Sequence, residues 1–87
     1  MIKFIGNPTT RIKQDPLRII RALRLALVLN FKLNRAAYSA IKKNFAAVNL
    51  LTNSRTAVEI KKIKNYRQRK YLAATLNNKK LLDKYFE

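Results

Sequence analysis

The segment from Asp15 to Asn30 constrains the fold more than any other part of this chain. At about 100° per residue, Ile19, Ile20, Ala22, Leu23, Ala26 and Leu27 fill one wide arc of a helical wheel. Arg18, Arg21 and Arg24 drift along the opposite arc, interrupted by Leu17, Leu25 and Val28. A helix this apolar must be enclosed on most sides, with one strip left toward a cleft or a partner. Its start is marked by Asp15-Pro16: an aspartate accepts hydrogen bonds from orphan N–H groups, and a proline at the first helical position lacks the N–H that would go unpaired. Its end is marked by Asn30, a residue that tolerates the left-handed cap conformation. The predicted helix spans residues 16–29.

The rest of the chain supplies what must enclose it. Met1 to Pro8 reads as an extended lead-in and turn, broken by Gly6 and Pro8, and Thr9 to Gln14 as a polar connector. Asn34 caps a predicted helix over residues 35–47, with Ala37, Ala40, Ile41 and Phe45 inward and Lys42 and Lys43 outward. After a connector over residues 50–53, Ser54 caps a helix to about residue 65 with Ala57, Ile60 and Ile63 on its apolar face, and an ion pair from Arg55 to Glu59 is available at i, i+4. Residues 66–76 form a further helix, interrupted by Asn77-Asn78, and residues 79–86 a last turn or two. No stretch alternates as a strand does. The expected class is all-α, a small bundle of four to five short helices. With 87 residues the chain buries only about 60 to 65% of its unfolded surface, so the core is thin. Its 48% hydrophobic content, rich in Leu, Ile and Ala, still exceeds that of a disordered basic tail.

Composition excludes much chemistry. Without Cys or His there is no ordinary zinc site, no thiol nucleophile and no imidazole base. The four acids are Asp15, Glu59, Asp83 and Glu87; of these only Asp83 and Glu87 share helical i, i+4 spacing, at a chain end, and they read as a solvated helix terminus rather than a metal or acid–base pair. The longest aliphatic run, Leu25 to Leu29, is far short of a membrane span, and Met1 to Asn7 is too short for a signal core. A cytoplasmic, reducing location is expected.

Against those four acids stand 20 Lys and Arg, for a net charge of +16. Nucleic acid is the first outlet for that charge, because each neutralised phosphate releases condensed counterions. An anionic membrane surface is disfavoured, since no helix pairs a broad Lys face with Trp or Phe anchors. An acidic partner chain, or a generally basic proteome, is the plain third reading. Tyr66, Tyr71 and Phe45 lie near cations and can stack on bases, although aromatics so spaced more often belong to a core or its rim. The arginine stripe is more specific than the bulk charge, since a guanidinium offers a planar fork of donors that matches phosphate or a base edge. With so few acids to pair Arg18, Arg21 and Arg24 internally, an external anion is the expected partner. Asp15, one turn from Arg18, completes a donor-and-acceptor set suited to a nucleobase edge.

The run Ile2-Lys3-Phe4-Ile5-Gly6-Asn7-Pro8, then Arg11-Ile12, Gln14-Asp15-Pro16-Leu17-Arg18, Ile20-Arg21-Ala22 and Arg24-Leu25-Ala26, resembles the segment joining head and neck in class II tRNA nucleotidyltransferases, the CCA-adding enzymes, and in bacterial poly(A) polymerases. The stretch from Phe31 to Phe45 is similar to the family's next helix, and Ser54-Arg55 with Glu59-Ile60 looks like a neck-stabilising motif. The resemblance implies a head-to-neck linker over residues 1–14 and a helical neck domain over residues 15–87. It implies that Asp15 and Arg18 read the base of incoming CTP or ATP, as the E-D-x-x-R template does, with Gln14 where the family usually has Glu. Arg21 and Arg24 would contact the nucleotide or orient the template. RNA, in particular a tRNA 3′ end, is the implied partner, and magnesium the implied metal of the complete enzyme.

Nothing in the chain resembles the family's Gly-Ser segment or its D-x-D pair, and four scattered acids do not supply a two-metal site. The expectation is a neck fragment that is inactive alone and needs a catalytic head in trans or in a longer parent, as in a truncated or split reading frame. The alternatives are a non-catalytic basic helical RNA- or DNA-binding protein and an inactive gene remnant.

Overall fold

The computed structural model describes residues 2–86, the side chain of Asn53 excepted. Five α-helices follow in order, α1 (Pro8–Gln14), α2 (Leu17–Leu29), α3 (Arg35–Lys43), α4 (Asn53–Lys61) and α5 (Tyr66–Asn77). A first 3₁₀ helix (Phe45–Leu50) joins α3 to α4, and a C-terminal 3₁₀ helix (Lys79–Tyr85) follows α5. Among the described residues the only β pairing is an isolated parallel bridge between Ile2 and Leu33. The molecule is an all-α bundle, as its sequence implies.

Helix α2 lies at its centre, packed against α1, α4, α5 and both 3₁₀ helices. Leu17, Ile19, Ile20, Ala22, Leu23 and Ala26 are buried, and with Ile12, Leu33, Ile41, Ile63, Leu72 and Leu82 they form one continuous core. The helix begins at Leu17, one residue later than predicted, with Pro16 in the cap position; Asp15 Oδ1 still accepts from the Leu17 amide at 3.2 Å, immediately ahead of the first turn. It ends at Asn30, whose φ of 55° places it in the left-handed region, with Phe31 N–H donating to the Ala26 carbonyl at 3.0 Å. That is a Schellman closure built on asparagine in place of glycine.

Thr9 to Gln14, read from sequence as a polar connector, are helical together with Pro8. Asn7 accepts from the Thr10 amide at 3.0 Å, Pro8 occupies the first turn, and Ile12 is fully buried where α1 packs on α2 and α3. The helix predicted to reach residue 47 stops at Lys43, where the Asn44 side chain donates to the Ala40 carbonyl at 2.8 Å and the chain tightens into the 3₁₀ helix. Helix α4 is capped by Thr52, which accepts from the Arg55 amide, and not by Ser54. It ends at Lys61, short of residue 65. There the guanidinium of Arg69 donates to the carbonyls of Ile63 and Lys61, satisfying acceptors that a longer helix would have used.

The first and last segments of the described residues meet at one place, around residues 32–34. Ile2 N–H donates to the Lys32 carbonyl at 2.8 Å, Asn34 N–H donates to the Ile2 carbonyl at 2.9 Å, and Leu33 N–H donates to the Tyr85 carbonyl at 2.8 Å. Tyr85 is held by a buried 2.9 Å hydrogen bond between its hydroxyl and that of Thr75, and burial pushes its phenol well above the usual range.

Core and surface positions of α2 respond differently to truncation. Leu23→Ala lowers stability by about 2 to 5 kcal/mol, the cost of a buried leucine removed with incomplete collapse, whereas Val28→Ala, at a half-exposed position, shifts it by about 0.5 kcal/mol or less. Urea denaturation followed by far-UV circular dichroism measures both.

Candidate nucleotide site on helix α2

Four side chains single out the outer face of α2, and the fold treats them differently. Asp15, at the start of the helix, has one oxygen in the cap of α2 and lies 3.9 Å from Arg21 and 3.9 Å from Arg55 of α4. Arg21 donates through Nε to Glu59 Oε1 at 2.9 Å, and Arg24 approaches Glu59 Oε2 at 3.5 Å. Arg18 makes no ion pair among the described residues. Its Nε is buried without a hydrogen-bond partner. The Arg18 backbone amide donates to the Asp15 carbonyl at 3.0 Å, but no ion pair or side-chain hydrogen bond joins the Asp15 carboxylate to the Arg18 guanidinium; the α2 cation within ion-pair reach of that carboxylate is Arg21.

Two expectations are thereby corrected. The arginine stripe is in part paired internally, because one acid, Glu59, serves Arg21, Arg24 and Lys62 together. Glu59 does not pair with Arg55 along α4; it turns inward to α2, leaving Arg55 to Asp15. The reason is burial: the Glu59 side chain is only 2% exposed, and a desolvated carboxylate requires several donors that an exposed i, i+4 partner does not supply. Burial pushes its carboxyl up, but the hydrogen bonds from Arg21 and Lys62 and the charges of Arg24 and Lys62 outweigh that, holding it below the usual carboxylate range. Reciprocally, the Glu59 hydrogen bond raises the Arg21 guanidinium above its ordinary value.

Beside Arg18 a cleft of about 160 Å³ opens between α2 and the N-terminal segment, lined by Ile2, Lys3, Phe4, Arg18, Arg21, Ala22 and Leu25. At ~30 Å³ per water it has room for about five waters. It is below the ~300 Å³ at which pockets enclose a whole drug-sized ligand; it accepts part of a ligand, such as one planar ring, and leaves the remainder outside. Arg18 and Arg21 face this cleft together, Asp15 lies outside its lining, and Arg24 is turned toward Glu59. The contribution of Lys3 and Phe4 was not visible in the sequence, since it depends on the long-range bridge that fixes Ile2 beside Leu33. Further along the same face of α2, Leu25, Val28 and Leu29 are exposed.

The aromatic candidates divide as well. Tyr66 is exposed with Lys70 5.4 Å from its ring centre, Phe45 is half-buried against the core, and Tyr71 packs on the core with its phenol pushed up by burial. Among the described residues, no three or more His, Cys, Asp or Glu come together. The magnesium implied by the family resemblance therefore has no fitting ligand set here. Asp83, read from sequence with Glu87 as a solvated helix terminus, engages Tyr38 and Lys42, and Glu87 lies outside the described residues. No helix among the described residues is long and apolar enough to cross a membrane.

The buried carboxylate makes stability depend on pH in a specific direction. Because the folded pKa of Glu59 is depressed, its contribution is present above the unfolded value of about 4.3 and is lost as pH falls through the folded one. Glu59→Gln at pH 7 costs about 1.5 to 3 kcal/mol, the range for a hydrogen bond to a charged group. Between pH 5 and pH 3, as the carboxylate protonates, the difference between parent and variant in urea midpoint shrinks; a constant difference across that range would contradict the assignment.

Sequence comparison adds relatives. Over 65 residues, 75% of this chain and 16% of the relative, the chain is 38% identical to a CCA-adding enzyme of Staphylococcus saprophyticus. Over 63 residues, 72% of the chain and 16% of each relative, it is 40% identical to a CCA-adding enzyme of Staphylococcus haemolyticus and 36% identical to one of Limosilactobacillus reuteri. No family model and no solved structure matches the chain. The match spans about one sixth of the length of these relatives. This chain therefore carries a region related to the CCA-adding enzymes.

Proposed function

We propose that this chain is the nucleotide-reading, RNA-facing neck portion of a nucleotidyltransferase of the CCA-adding or poly(A)-adding type, with residues 1–14 as the linker from a catalytic head and residues 15–87 as the neck. The observation that carries the reading is Arg18: its Nε is buried and unpartnered, as is that of Arg24, but unlike Arg24 it has no carboxylate among the described residues and stands at the wall of a cleft of ring-like size, beside a second arginine and Phe4. An unpaired buried donor is costly, and a ligand acceptor removes that cost.

The chemistry follows from the two base edges concerned. Cytosine and adenine each present an exocyclic amino donor next to a ring-nitrogen acceptor. A carboxylate and a guanidinium complement that order, whereas uracil and guanine present a carbonyl next to an N–H and leave both protein groups mismatched. In this reading Asp15 accepts from the amino group and Arg18 donates to the ring nitrogen. Arg21, held through Nε by Glu59, orients the ligand with its remaining nitrogens, and Arg24 acts through Glu59 by fixing it. Phosphoryl chemistry and its metal belong to another unit, a head domain in trans or in a longer parent. The exposed apolar run Leu25, Val28, Leu29 and Phe31 supports the need for a covering partner.

Titration with CTP, ATP, UTP and GTP, followed by two-dimensional NMR, tests the reading. CTP and ATP are expected to perturb Arg18 and Phe4 and to bind at least about tenfold more tightly than UTP or GTP, a difference of roughly 1.4 kcal/mol. Asp15→Asn keeps a good helix cap, and together with Arg18→Ala it is expected to abolish that preference. Equal weak binding of all four nucleotides by parent and variants would defeat it. A second reading, a non-catalytic basic nucleic-acid adaptor, is favoured by the many cations without a carboxylate partner among the described residues. It requires salt-dependent polynucleotide binding that is indifferent to Asp15.

A further inference from the structure

Away from α2, the last turn of α3 and the first turn of the C-terminal 3₁₀ helix bring four lysines to one place. Two adjoining surface hollows, of about 460 and 430 Å³, share Lys42 and Lys79; Lys80 lines one and Lys43 the other. Together they make a continuous trough. Lys42 is held at its edge by Asp83 at 3.9 Å and by the Tyr38 hydroxyl at 3.3 Å. No carboxylate among the described residues pairs with Lys43, Lys79 or Lys80. Asn78 accepts from the Lys80 amide at 3.1 Å, which fixes the turn from which Lys79 and Lys80 project.

Convergent cations on a concave surface, three of the four here without a carboxylate partner among the described residues, raise the local potential and favour a polyanion over a lone counterion. The side chains present narrow the ligand further. Lysine is a point charge without arginine's planar fork, suited to phosphate and poor at reading base edges. The one aromatic that lines the trough, Tyr38, is already engaged: it is stacked on Phe86 with centroids 4.6 Å apart and has Lys42 Nζ 5.5 Å from its ring centre, and the exposed large hydrophobic residues lie elsewhere. Base stacking and lipid insertion both lack their usual side chains here.

We infer that the trough between α3 and the C-terminal 3₁₀ helix is a docking track for the phosphodiester backbone of RNA, indifferent to sequence and separate from the cleft on α2. This deepens the RNA-facing part of the reading above. The two fail separately, because neither Asp15 nor Arg18 touches the trough. Each phosphate neutralised on a single strand contributes about 0.7 to the slope of log affinity against log salt. Four contacts therefore give a slope of about 3, and a fourfold rise in salt then weakens this contribution about 50-fold.

The test is fluorescence anisotropy of a labelled 12-nucleotide oligo(U) at several salt concentrations. It compares the parent with a variant carrying Lys42, Lys43, Lys79 and Lys80 all changed to Gln, and with a charge-matched control carrying Lys13, Lys61, Lys64 and Lys70 changed to Gln. The trough variant is expected to lose at least tenfold more affinity than the control and to lower the salt slope by about 2 to 3, with oligo(A) bound as tightly as oligo(U) and the CTP titration unchanged. Circular dichroism establishes that both variants fold. Equal losses in the two variants would reduce the effect to bulk charge and overturn the proposal, as would failure of the parent to bind RNA. A trough variant that keeps RNA affinity but loses binding to phosphatidylserine vesicles would reassign the surface to membranes and overturn it too.

Discussion

Carboxylates are the scarce resource of this molecule, and the placement of three of them organises the rest. Each joins two elements far apart in sequence. Glu59 ties α4 to α2 through Arg21 and Arg24, Asp15 faces α4 through Arg55, and Asp83 ties the C-terminal 3₁₀ helix to α3 through Tyr38 and Lys42. Exposed ion pairs contribute little to stability, about 0 to 1 kcal/mol, so Asp15 and Asp83 act chiefly as positional guides. Glu59 differs because it is desolvated. It has to be surrounded by cations, two of them hydrogen-bonded to Oε1 and the charges of Arg24 and Lys62 close to Oε2, and gathering them sets how α4 lies against the central helix. A carboxylate so placed also removes two guanidinium groups from the repulsive field of a chain with net charge +16.

The arginines of α2 are thereby graded along one helix. Arg24 is committed to Glu59 and is 20% exposed; Arg21 is shared, with one nitrogen on Glu59 and the side chain 46% exposed; Arg18 has no acid and borders an open cleft. Beyond them the same face turns apolar at Leu25, Val28 and Leu29. A uniform cationic stripe would attract any polyanion. A graded one has a single open guanidinium backed by a fixed one, an arrangement suited to a small ligand held in a set orientation.

Much of this was legible in the sequence, and the failures share a cause. Helix α2, its asparagine closure, the Asn34 cap and the all-α class all follow from local chemistry: apolar spacing, capping side chains and the lack of strand alternation. Helix α1 was missed because Thr9 to Gln14 carries a single apolar residue, Ile12, and a segment that polar is held helical by burying that one side chain between other helices. The same signal, Asn7-Pro8 ahead of a short run, stood in plain view as a copy of Asp15-Pro16. Glu59 was misassigned because the i, i+4 rule describes exposed helices, while its true partner Arg21 is 38 residues away. The cleft was invisible for a related reason: one wall comes from Ile2 to Phe4, whose position is set by pairing with residues 32–34.

That pairing links the two surfaces for which a function is proposed. Residues 32–34 hold the N-terminal segment on one side and Tyr85 on the other, and Lys32 Nζ reaches the Lys84 carbonyl at 2.8 Å. Tyr85 closes the 3₁₀ helix whose opening residues, Lys79 and Lys80, line the lysine trough, while Ile2 to Phe4 line the cleft beside Arg18. The cleft is therefore not a property of α2 alone. Its wall stands because Leu33 is fully buried where two backbone hydrogen bonds tie its neighbours to Ile2 and one ties Leu33 itself to Tyr85, and a ladder this short opens at a lower free energy than the core it borders. Loosening the C-terminal 3₁₀ helix would free the Leu33 amide, and the N-terminal segment would lose the side of the ladder that fixes it. In a fold with so thin a core, packing at the chain ends holds the shape of the candidate site.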